Sequence, residues 1–325
     1  MRPLDRRLAV LESAIAEHRG RPAEISRAQR TQETWASCAL AGATLTASET
    51  RSLLERGIVS GTRPFRDYLL VWGYGQGVNW VTRQRPSRPL FTIAELRALH
   101  VHVCSALALV EPEARNAGEW RISRLPANSQ ATVATAPAMI AREVAFFVDR
   151  FGSGPPPEGS PFVWLAAMHE RFDRLRPFAI ANGRVLRLLL ALALVRLGFP
   201  LAPVLPREAR AYRIARTRAD AGDPLPLACV IARAVARNFE PGVPRSALAP
   251  LSALADERLS LAALRKAVTR GALRHVYVGA RVYSTRGWRN DYLERAAAAA
   301  RLKSGAPSVV ARIEKNVMPT RTERS

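Results

Sequence analysis

Residues 176–187, RPFAIANGRVLR, constrain the fold more than any other stretch of the sequence. Two apolar segments with helical periodicity flank them, residues 162–175 and 183–198. Pro177 ends the first helix and Phe178 can anchor the loop in a core, while Gly183 lets the backbone approach a ligand. The second helix then begins with free N–H groups and the positive end of its dipole, a common anion site. The sequence therefore predicts a helical core built around an anion-binding loop.

Two arginines follow this turn and strengthen the prediction. Arg184 and Arg187 are three residues apart, so they lie on one helix face and both could reach a phosphate. We name four candidate phosphate or nucleotide ligands: Asn182, Gly183, Arg184 and Arg187. The alternative is that the two arginines pair with acidic side chains and have only a structural role.

The rest of the first 240 residues predicts helices. Thr46 with Glu49, and Thr92 with Glu95, have the spacing of capping boxes at two helix starts. Gly57 is a candidate C-cap for the first of these helices. Residues 118–134 are polar, contain β-branched side chains and a turn at 126–129, and predict a short β-hairpin flap.

The loop resembles the signature of the Fic (Fido) family, His-Pro-Phe-x-(Asp/Glu)-Gly-Asn-Gly-Arg-x-x-Arg. The matching residues are Pro177, Phe178, Asn182, Gly183, Arg184 and Arg187, with Ala181 in place of a glycine. The resemblance extends over about residues 31–240. It implies a helical fold and transfer of AMP from ATP to a protein hydroxyl, with the phosphates held by the Asn, Gly and Arg positions.

Three departures from the family pattern fall on the chemistry. Arg176 occupies the position of the family's general base, and a guanidinium with a pKa above ~12 is no base near neutral pH. Ile180 occupies the position of the acidic residue that holds Mg²⁺ in the family. Ala41, in SCALAG at 37–42, occupies the position of the Glu that pairs with the second signature Arg in autoinhibited members. No catalytic residue and no metal ligand is therefore assigned.

The resemblance to protein adenylyltransferases leaves several functions open. The first is a DNA-binding regulator, inactive in standard AMP transfer, that keeps a pocket for ATP or another nucleotide. The second is an active nucleotidyl- or phosphotransferase in which Arg176 stabilises charge and either His169 or a base of the target takes the proton. The third is a structural scaffold that holds a protein partner at the 118–134 flap. Whether Mg²⁺ takes part is also left open.

The C-terminal residues predict a second, small domain. Residues 260–284 read as a Ser-capped helix that Gly271 ends, followed by two short strands about a turn at Gly279. They resemble the winged helix-turn-helix of excisionase-like bacterial DNA-binding domains. The resemblance implies DNA as partner, with five basic contact residues: Arg265, Lys266, Arg270, Arg274 and Arg281. The alternative is a winged helix used for protein contact.

Composition supports this organisation. Residues 245–325 carry 16 Lys and Arg against 6 Asp and Glu, a net charge of +10 out of +22 for the whole chain, which suits a polyanion partner. Three well-separated cysteines and the absence of a long apolar run predict a cytoplasmic protein without a membrane segment. We expect a mainly α protein: an N-terminal helical extension (1–30), a Fic-like domain (31–240), a linker (241–247), a winged helix-turn-helix (248–300) and a flexible basic tail (301–325).

Overall fold

The chain forms two compact units, residues 1–240 and 241–325. The computed structural model describes residues 3–16, 25–59, 61–125, 134–238, 247–278 and 281–303. The α-helices of the first unit are α1 (Pro3–Ala16), α2 (Arg27–Leu40), α3 (Ala47–Arg56), α4 (Phe65–Thr82), α5 (Ile93–Cys104), α6 (Ile140–Gly152), α7 (Pro161–Leu175), α8 (Asn182–Arg196), α9 (Ala209–Asp220) and α10 (Leu225–Asn238). Short 3₁₀ turns occupy Ala106–Leu109, Pro112–Asn116, Pro137–Met139 and Pro206–Glu208.

Helix α8 is the centre of the first unit. Its residues from 184 to 195 are buried except for Arg187, which is half-buried. Helices α2, α4, α5 and α7 pack around it. The glycines of α4 make this packing possible: a Cβ on Gly73 would lie 2.9 Å from the His102 carbonyl oxygen, and one on Gly77 would lie 2.5 Å from Leu188. These glycines are sites of close helix approach rather than a weakness of α4.

The predicted helix caps are confirmed. Thr46 and Glu49 form a reciprocal capping box at the start of α3, and Thr92 and Glu95 form one at the start of α5. Gly57 ends α3 in the left-handed conformation, with φ of 68°. Each box satisfies two N–H groups that the first helical turn leaves without a partner.

The prediction of a β-hairpin flap at 118–134 falls partly outside the described residues, as does its turn at 126–129. Residues 118–125 and 134, which the structure describes, are not in a β-strand. The side chain of Arg121 donates to the carbonyl oxygens of Ser123 and Thr135, so a side chain joins the two arms here. The sequence did not predict this contact. A buried guanidinium can satisfy backbone carbonyl groups in place of the hydrogen bonds between two strands.

The second unit has its own small core. Its elements are β1 (Ala249–Pro250), α11 (Leu251–Leu254), α12 (Leu261–Thr269), β2 (Val276–Val278), β3 (Arg281–Ser284) and α13 (Arg286–Lys303). The strands form an antiparallel sheet in the order β1-β3-β2. Ser260 caps α12, and Gly271, with φ of 72°, follows its end. The apolar core includes Leu251, Leu264 and Leu273.

Within the described part of the chain, every helix is too short or too polar to span a bilayer. The three cysteines are free thiols and are buried.

Candidate functional site

The loop between α7 and α8 is bounded by two unusual backbone conformations. Arg176, at the end of α7, has φ of 43°, and Ala181, at the start of α8, has φ of 63°. Among the described residues these are the only side-chain-bearing positions with positive φ. Residues other than glycine adopt this region at an energetic cost, and such strain concentrates at functional sites. The loop is therefore held in its shape by its surroundings.

The side chain of Asn182 hydrogen-bonds to the backbone of the loop. Its Oδ1 accepts a hydrogen bond from the Phe178 N–H at 3.0 Å, and its Nδ2 donates to the Phe178 carbonyl oxygen at 2.7 Å. The sequence predicted Asn182 as a direct phosphate ligand. In the structure its side chain is engaged with the loop backbone, so it positions the loop.

His100 on α5 packs against Phe178 of the loop, a contact that the sequence did not predict. Its ring stacks on the buried ring of Phe178, with the centroids 3.9 Å apart. The Gly118 N–H donates to its Nδ1 at 2.8 Å, and its Nε2 lies 3.2 Å from the thiol of Cys104. Burial lowers the pKa of His100 to about 4, so the ring is neutral at pH 7. The only signal in the sequence was a histidine on an apolar helix face.

The start of α8 presents unpaired N–H groups. The N–H groups of Arg184 and Val185 both donate to the Ala181 carbonyl oxygen. Those of Asn182 and Gly183 have no partner among the residues that the structure describes. Gly183 is exposed, and a Cβ there would meet only Nη1 of Arg187, at 3.5 Å. An open helix start with a guanidinium beside it is a favourable place for an anion.

Arg184 is a buried cation without a hydrogen-bonded partner. Its exposure is 6%, and none of its guanidinium nitrogens has a hydrogen bond or an ion pair within the described chain. Its neighbours include the thiols of Cys38 and Cys104, whose pKa values burial raises to about 12 and about 11. Protonated thiols cannot neutralise the charge, and burial lowers the pKa of Arg184 itself.

Arg187 joins the start of α8 to α2. Its Nε donates to Ser37 Oγ at 2.7 Å, and its Nη2 donates to the Ser37 carbonyl oxygen at 2.9 Å. The Tyr212 hydroxyl also interacts with Arg187 and lies 2.6 Å from Nε2 of His169. Among the described residues, neither Arg184 nor Arg187 forms an ion pair with an acidic side chain. The alternative in which both arginines pair with acidic side chains is therefore not observed among the described residues.

His169 is a core residue. Its exposure is 0%, and burial lowers its pKa to about 3. It lies on α7 with its Nε2 occupied by Tyr212, so it does not present a base to an outside hydroxyl.

Glu33 is a buried carboxyl that sequence reasoning missed. It lies on α2 one turn before Ser37, its exposure is 3%, and Tyr74 donates to its Oε1 at 3.0 Å. Burial raises its pKa to about 7, against the opposing effects of Tyr74 and Arg187. Ala41, by contrast, is exposed at the end of α2. The contact from α2 to Arg187 is thus made by Ser37, one turn before Ala41.

Arg121 fastens the flap to the loop. Its N–H donates to the Pro177 carbonyl oxygen and its Nε donates to that of Arg176, at 2.9 and 2.8 Å. With Ser123 and Thr135, its guanidinium reaches three carbonyl oxygens at an exposure of 4%. Arg176 is half-buried and has no acidic partner in the described ranges.

The sequence and the fold are similar to those of known proteins. A protein adenylyltransferase fic-1 of Caenorhabditis briggsae is 29% identical over 210 residues, covering 64% of this chain and 39% of that protein. A protein adenylyltransferase Fic of Nematostella vectensis is 25% identical over 222 residues, covering 68% of this chain and 50% of that protein. The solved structure of Fic-1 (residues 134–508) from C. elegans matches with a TM-score of 0.61 and 21% identity, covering 73% of this chain and 70% of that one.

The chain has the fold of a Fic (Fido) domain. A Fic domain containing signaling protein from Bacteroides thetaiotaomicron supports the same fold, with a TM-score of 0.59, 22% identity and coverage of 72% of this chain and 94% of that one. No family model matches the sequence. The chain spans half or less of the length of the curated Fic relatives described above.

The Fic loop of this chain does not offer ligands for Mg²⁺. Magnesium prefers carboxylate oxygens, and the loop has Ile180 where such a group would lie. Three carboxyls come within electrostatic range of the arginines or of Tyr212, and each has another partner. Tyr74 binds Glu33, Arg66 binds Glu111, and Arg216 binds Asp173. No cluster of His, Cys, Asp and Glu within the described ranges could hold a metal ion.

The basic residues predicted for DNA lie on two elements of the second unit. Arg265, Lys266 and Arg270 are exposed on or just after α12, opposite the buried Leu264 and Ala267. Arg281 is exposed at the start of β3. Arg274 is half-buried before β2. The turn at Gly279 lies outside the described residues.

Proposed function

We propose that the Fic domain binds the phosphates of a nucleotide at the start of α8 and does not carry out base-catalysed AMP transfer. The observation that carries this proposal is Arg184, a guanidinium with 6% exposure and no hydrogen-bond partner in the described chain. An uncompensated buried charge is costly, so its retention beside an open helix start indicates that an anion completes the site.

A nucleotide is the ligand class that the relatives suggest. Those described above are named protein adenylyltransferases. This chain keeps the Asn-Gly-Arg turn and the second arginine, which together present N–H groups and guanidinium groups to one place. Arg187 lies beside Gly183, and its charge lowers the pKa of Arg184, so the two cations are close enough to attract the same anion.

The absence of a base supports the second half of the proposal. Arg176 stands where the family has its base, and a guanidinium group is a hydrogen-bond donor with no acceptor site. His169, the other histidine of this segment, is enclosed in the core with its Nε2 bonded to Tyr212. General base catalysis needs a group within hydrogen-bonding reach of the attacking hydroxyl, and neither residue meets that requirement.

Calorimetric titration of the full chain with ATP tests the pocket. Binding is expected for the wild type and is expected to be lost in Arg184→Met, which keeps the side-chain length and removes the charge. The double variant Arg265→Ala/Arg270→Ala is the matched control, because it removes two arginines from the other unit. Loss of binding in this control, or equal binding by Arg184→Met, would contradict the proposal.

Incubation with ATP labelled in the α-phosphate tests the inactivity. No label is expected to reach protein hydroxyls, either on the chain itself or in a cell lysate. Transfer of label that disappears in Arg176→Ala would show an active transferase and refute this half of the proposal, while leaving the pocket intact.

We also propose that the second unit binds DNA as a winged helix-turn-helix. The exposed basic face of α12 favours this function, since it places Arg265, Lys266 and Arg270 together at the surface. Such a helix can enter the major groove while neighbouring basic groups meet phosphates.

Binding to a DNA duplex, measured over a range of salt concentrations, tests this function. Affinity should fall steeply with salt, because each neutralised phosphate releases counterions. Arg265→Ala/Arg270→Ala should weaken binding and reduce the slope of log K against log salt by about 2. Arg184→Met is the control and should bind as the wild type does. Absence of binding to any duplex at low salt would refute the proposal.

A further inference from the structure

The charged residues of the segment 176–187 are all arginines. Arg176, Arg184 and Arg187 belong to the loop and to the first turns of α8, and Arg121 binds the loop carbonyl oxygens of residues 176 and 177. The carboxyls nearest to them are engaged by Tyr74, Arg66 and Arg216. A phosphate entering this site therefore meets guanidinium and N–H donors, with no free carboxylate in the described loop.

These donors bear on whether a polyphosphate binds with or without Mg²⁺. A polyphosphate that binds as its magnesium complex needs protein oxygen ligands for the metal, or space next to the phosphates for the hydrated cation. The arginines would repel a cation placed here. Instead of a carboxylate, the loop has Ile180, whose side chain packs against the apolar core. Guanidinium groups match phosphate oxygens in geometry and charge without a metal.

We propose that the Fic site binds a nucleotide polyphosphate in its metal-free form, with arginine in the place of magnesium. This inference deepens the proposed nucleotide pocket and rests on it. Arg176 adds a positive charge where the family has its base, and Ile180 removes the negative charge that would attract a cation. The two differences act in the same direction, since both make the site favour the free anion over its metal complex.

Titration of the full chain with ATP, in excess Mg²⁺ and in EDTA, tests the inference. Binding in EDTA is expected to be tighter, on the order of tenfold, because the metal removes negative charge from the ligand that the arginines attract. Arg176→Gln should lose most of this preference, and Arg176→Lys should keep it because the charge remains.

A second pair of variants tests the role of residue 180. Ile180→Glu returns a carboxylate to the loop and should reverse the preference, so that binding is tighter with Mg²⁺ than in EDTA. Ile180→Gln has the same size as the glutamate variant without the charge, and it should not reverse the preference. If Ile180→Glu and Ile180→Gln showed the same preference, the assigned role of charge at position 180 would be wrong.

The outcomes separate the inference from the proposed pocket. Tighter binding in EDTA than in excess Mg²⁺ supports the inference. Equal binding, or binding that requires Mg²⁺, overturns it and leaves the pocket in place. No binding under either condition overturns both. Retention of the same preference in Arg265→Ala/Arg270→Ala assigns the effect to the Fic domain, and its loss there would overturn the inference.

Discussion

Arg184 and Arg196 are two arginines of α8 with opposite surroundings. Arg184 has no hydrogen-bond partner among the described residues, whereas Arg196 binds Glu95 at 2.5 Å and the Leu90 carbonyl oxygen at 3.0 Å. Both side chains are largely buried, and Nη1 of Arg184 is fully so. The comparison contrasts a buried charge without a described hydrogen-bond partner with one that the fold pairs with a carboxylate.

Substitution by methionine should therefore lower stability at position 196 but not at position 184. In the absence of ligand, Arg184→Met should leave the free energy of unfolding unchanged or raise it by up to about 2 kcal/mol, because an unpaired buried charge is removed. Arg196→Met should lower it by about 3 kcal/mol, because Glu95 loses its partner. Denaturant unfolding of both variants measures this. A large loss in Arg184→Met would mean that this arginine is structural.

Glu33 should make stability depend on pH. Its pKa in the folded chain is about 7, against 4.5 as the ordinary value, so the folded state holds the proton more tightly than the unfolded state. Stability is then greatest below pH 4.5, falls as the pH rises towards 7 and levels off above that. The contribution lost is about 3 kcal/mol.

Glu33→Gln provides the test because glutamine can still accept the hydrogen bond of Tyr74 without titrating. The difference in free energy of unfolding between variant and wild type should grow between pH 4.5 and 7 and stay constant above pH 7. A difference that does not change with pH would contradict the assignment of a buried titrating carboxyl. The measurement is urea unfolding across this range.

At the scale of elements, the functional loop depends on segments distant in the sequence. The flap reaches it through Arg121, α5 supports Phe178 through His100, and α2 holds Arg187 through Ser37. The loop itself has two residues in strained backbone conformations. These contacts keep it in shape, since strain persists only where the surroundings over-determine a conformation.

Removing the Arg121 clamp should release both the flap and the loop. Arg121→Met loses hydrogen bonds to three carbonyl oxygens, and we expect a loss of about 2 to 4 kcal/mol in the free energy of unfolding. Amide hydrogen exchange should become faster at position 121, whose backbone N–H donates to the Pro177 carbonyl oxygen. Arg124→Met, on an exposed residue of the same segment, is the control and should change neither. Equal effects of the two substitutions would mean that Arg121 is no clamp.

At the scale of the whole molecule, the two units have separate apolar cores. The larger core surrounds α8, and the smaller one includes Leu251, Leu264 and Leu273. Because the cores share no described residue, the units should respond separately to core substitutions.

Leu264→Ala should lower the stability of the second unit by about 3 kcal/mol, through lost burial and the cavity left behind. In scanning calorimetry, the transition of the smaller unit should move to lower temperature while that of the larger unit stays in place. DNA binding should weaken while ATP binding is retained. A common shift of both transitions would contradict separate cores.

Much of the local structure could be predicted from the sequence. The capping boxes at Thr46 and Thr92 and the C-cap at Gly57 were predicted because they depend on residues within one helical turn. The two helices around Pro177 were predicted for the same reason, and the signature match indicated the fold that the structural comparison shows. Local backbone chemistry and apolar periodicity are properties of neighbouring residues, so the sequence alone determined them.

Only the tertiary structure decided what the arginines of the site contact. The sequence placed Arg184 and Arg187 on the same helix face and gave them the same role. In the structure, Arg184 has no hydrogen-bond partner in the described chain, whereas Arg187 binds Ser37, 150 residues away. Glu33 and Arg121 had no sequence signal, because their roles depend on which segments the fold brings together. Burial and long-range partners set the charge state and the availability of a side chain, and these are properties of the packed molecule.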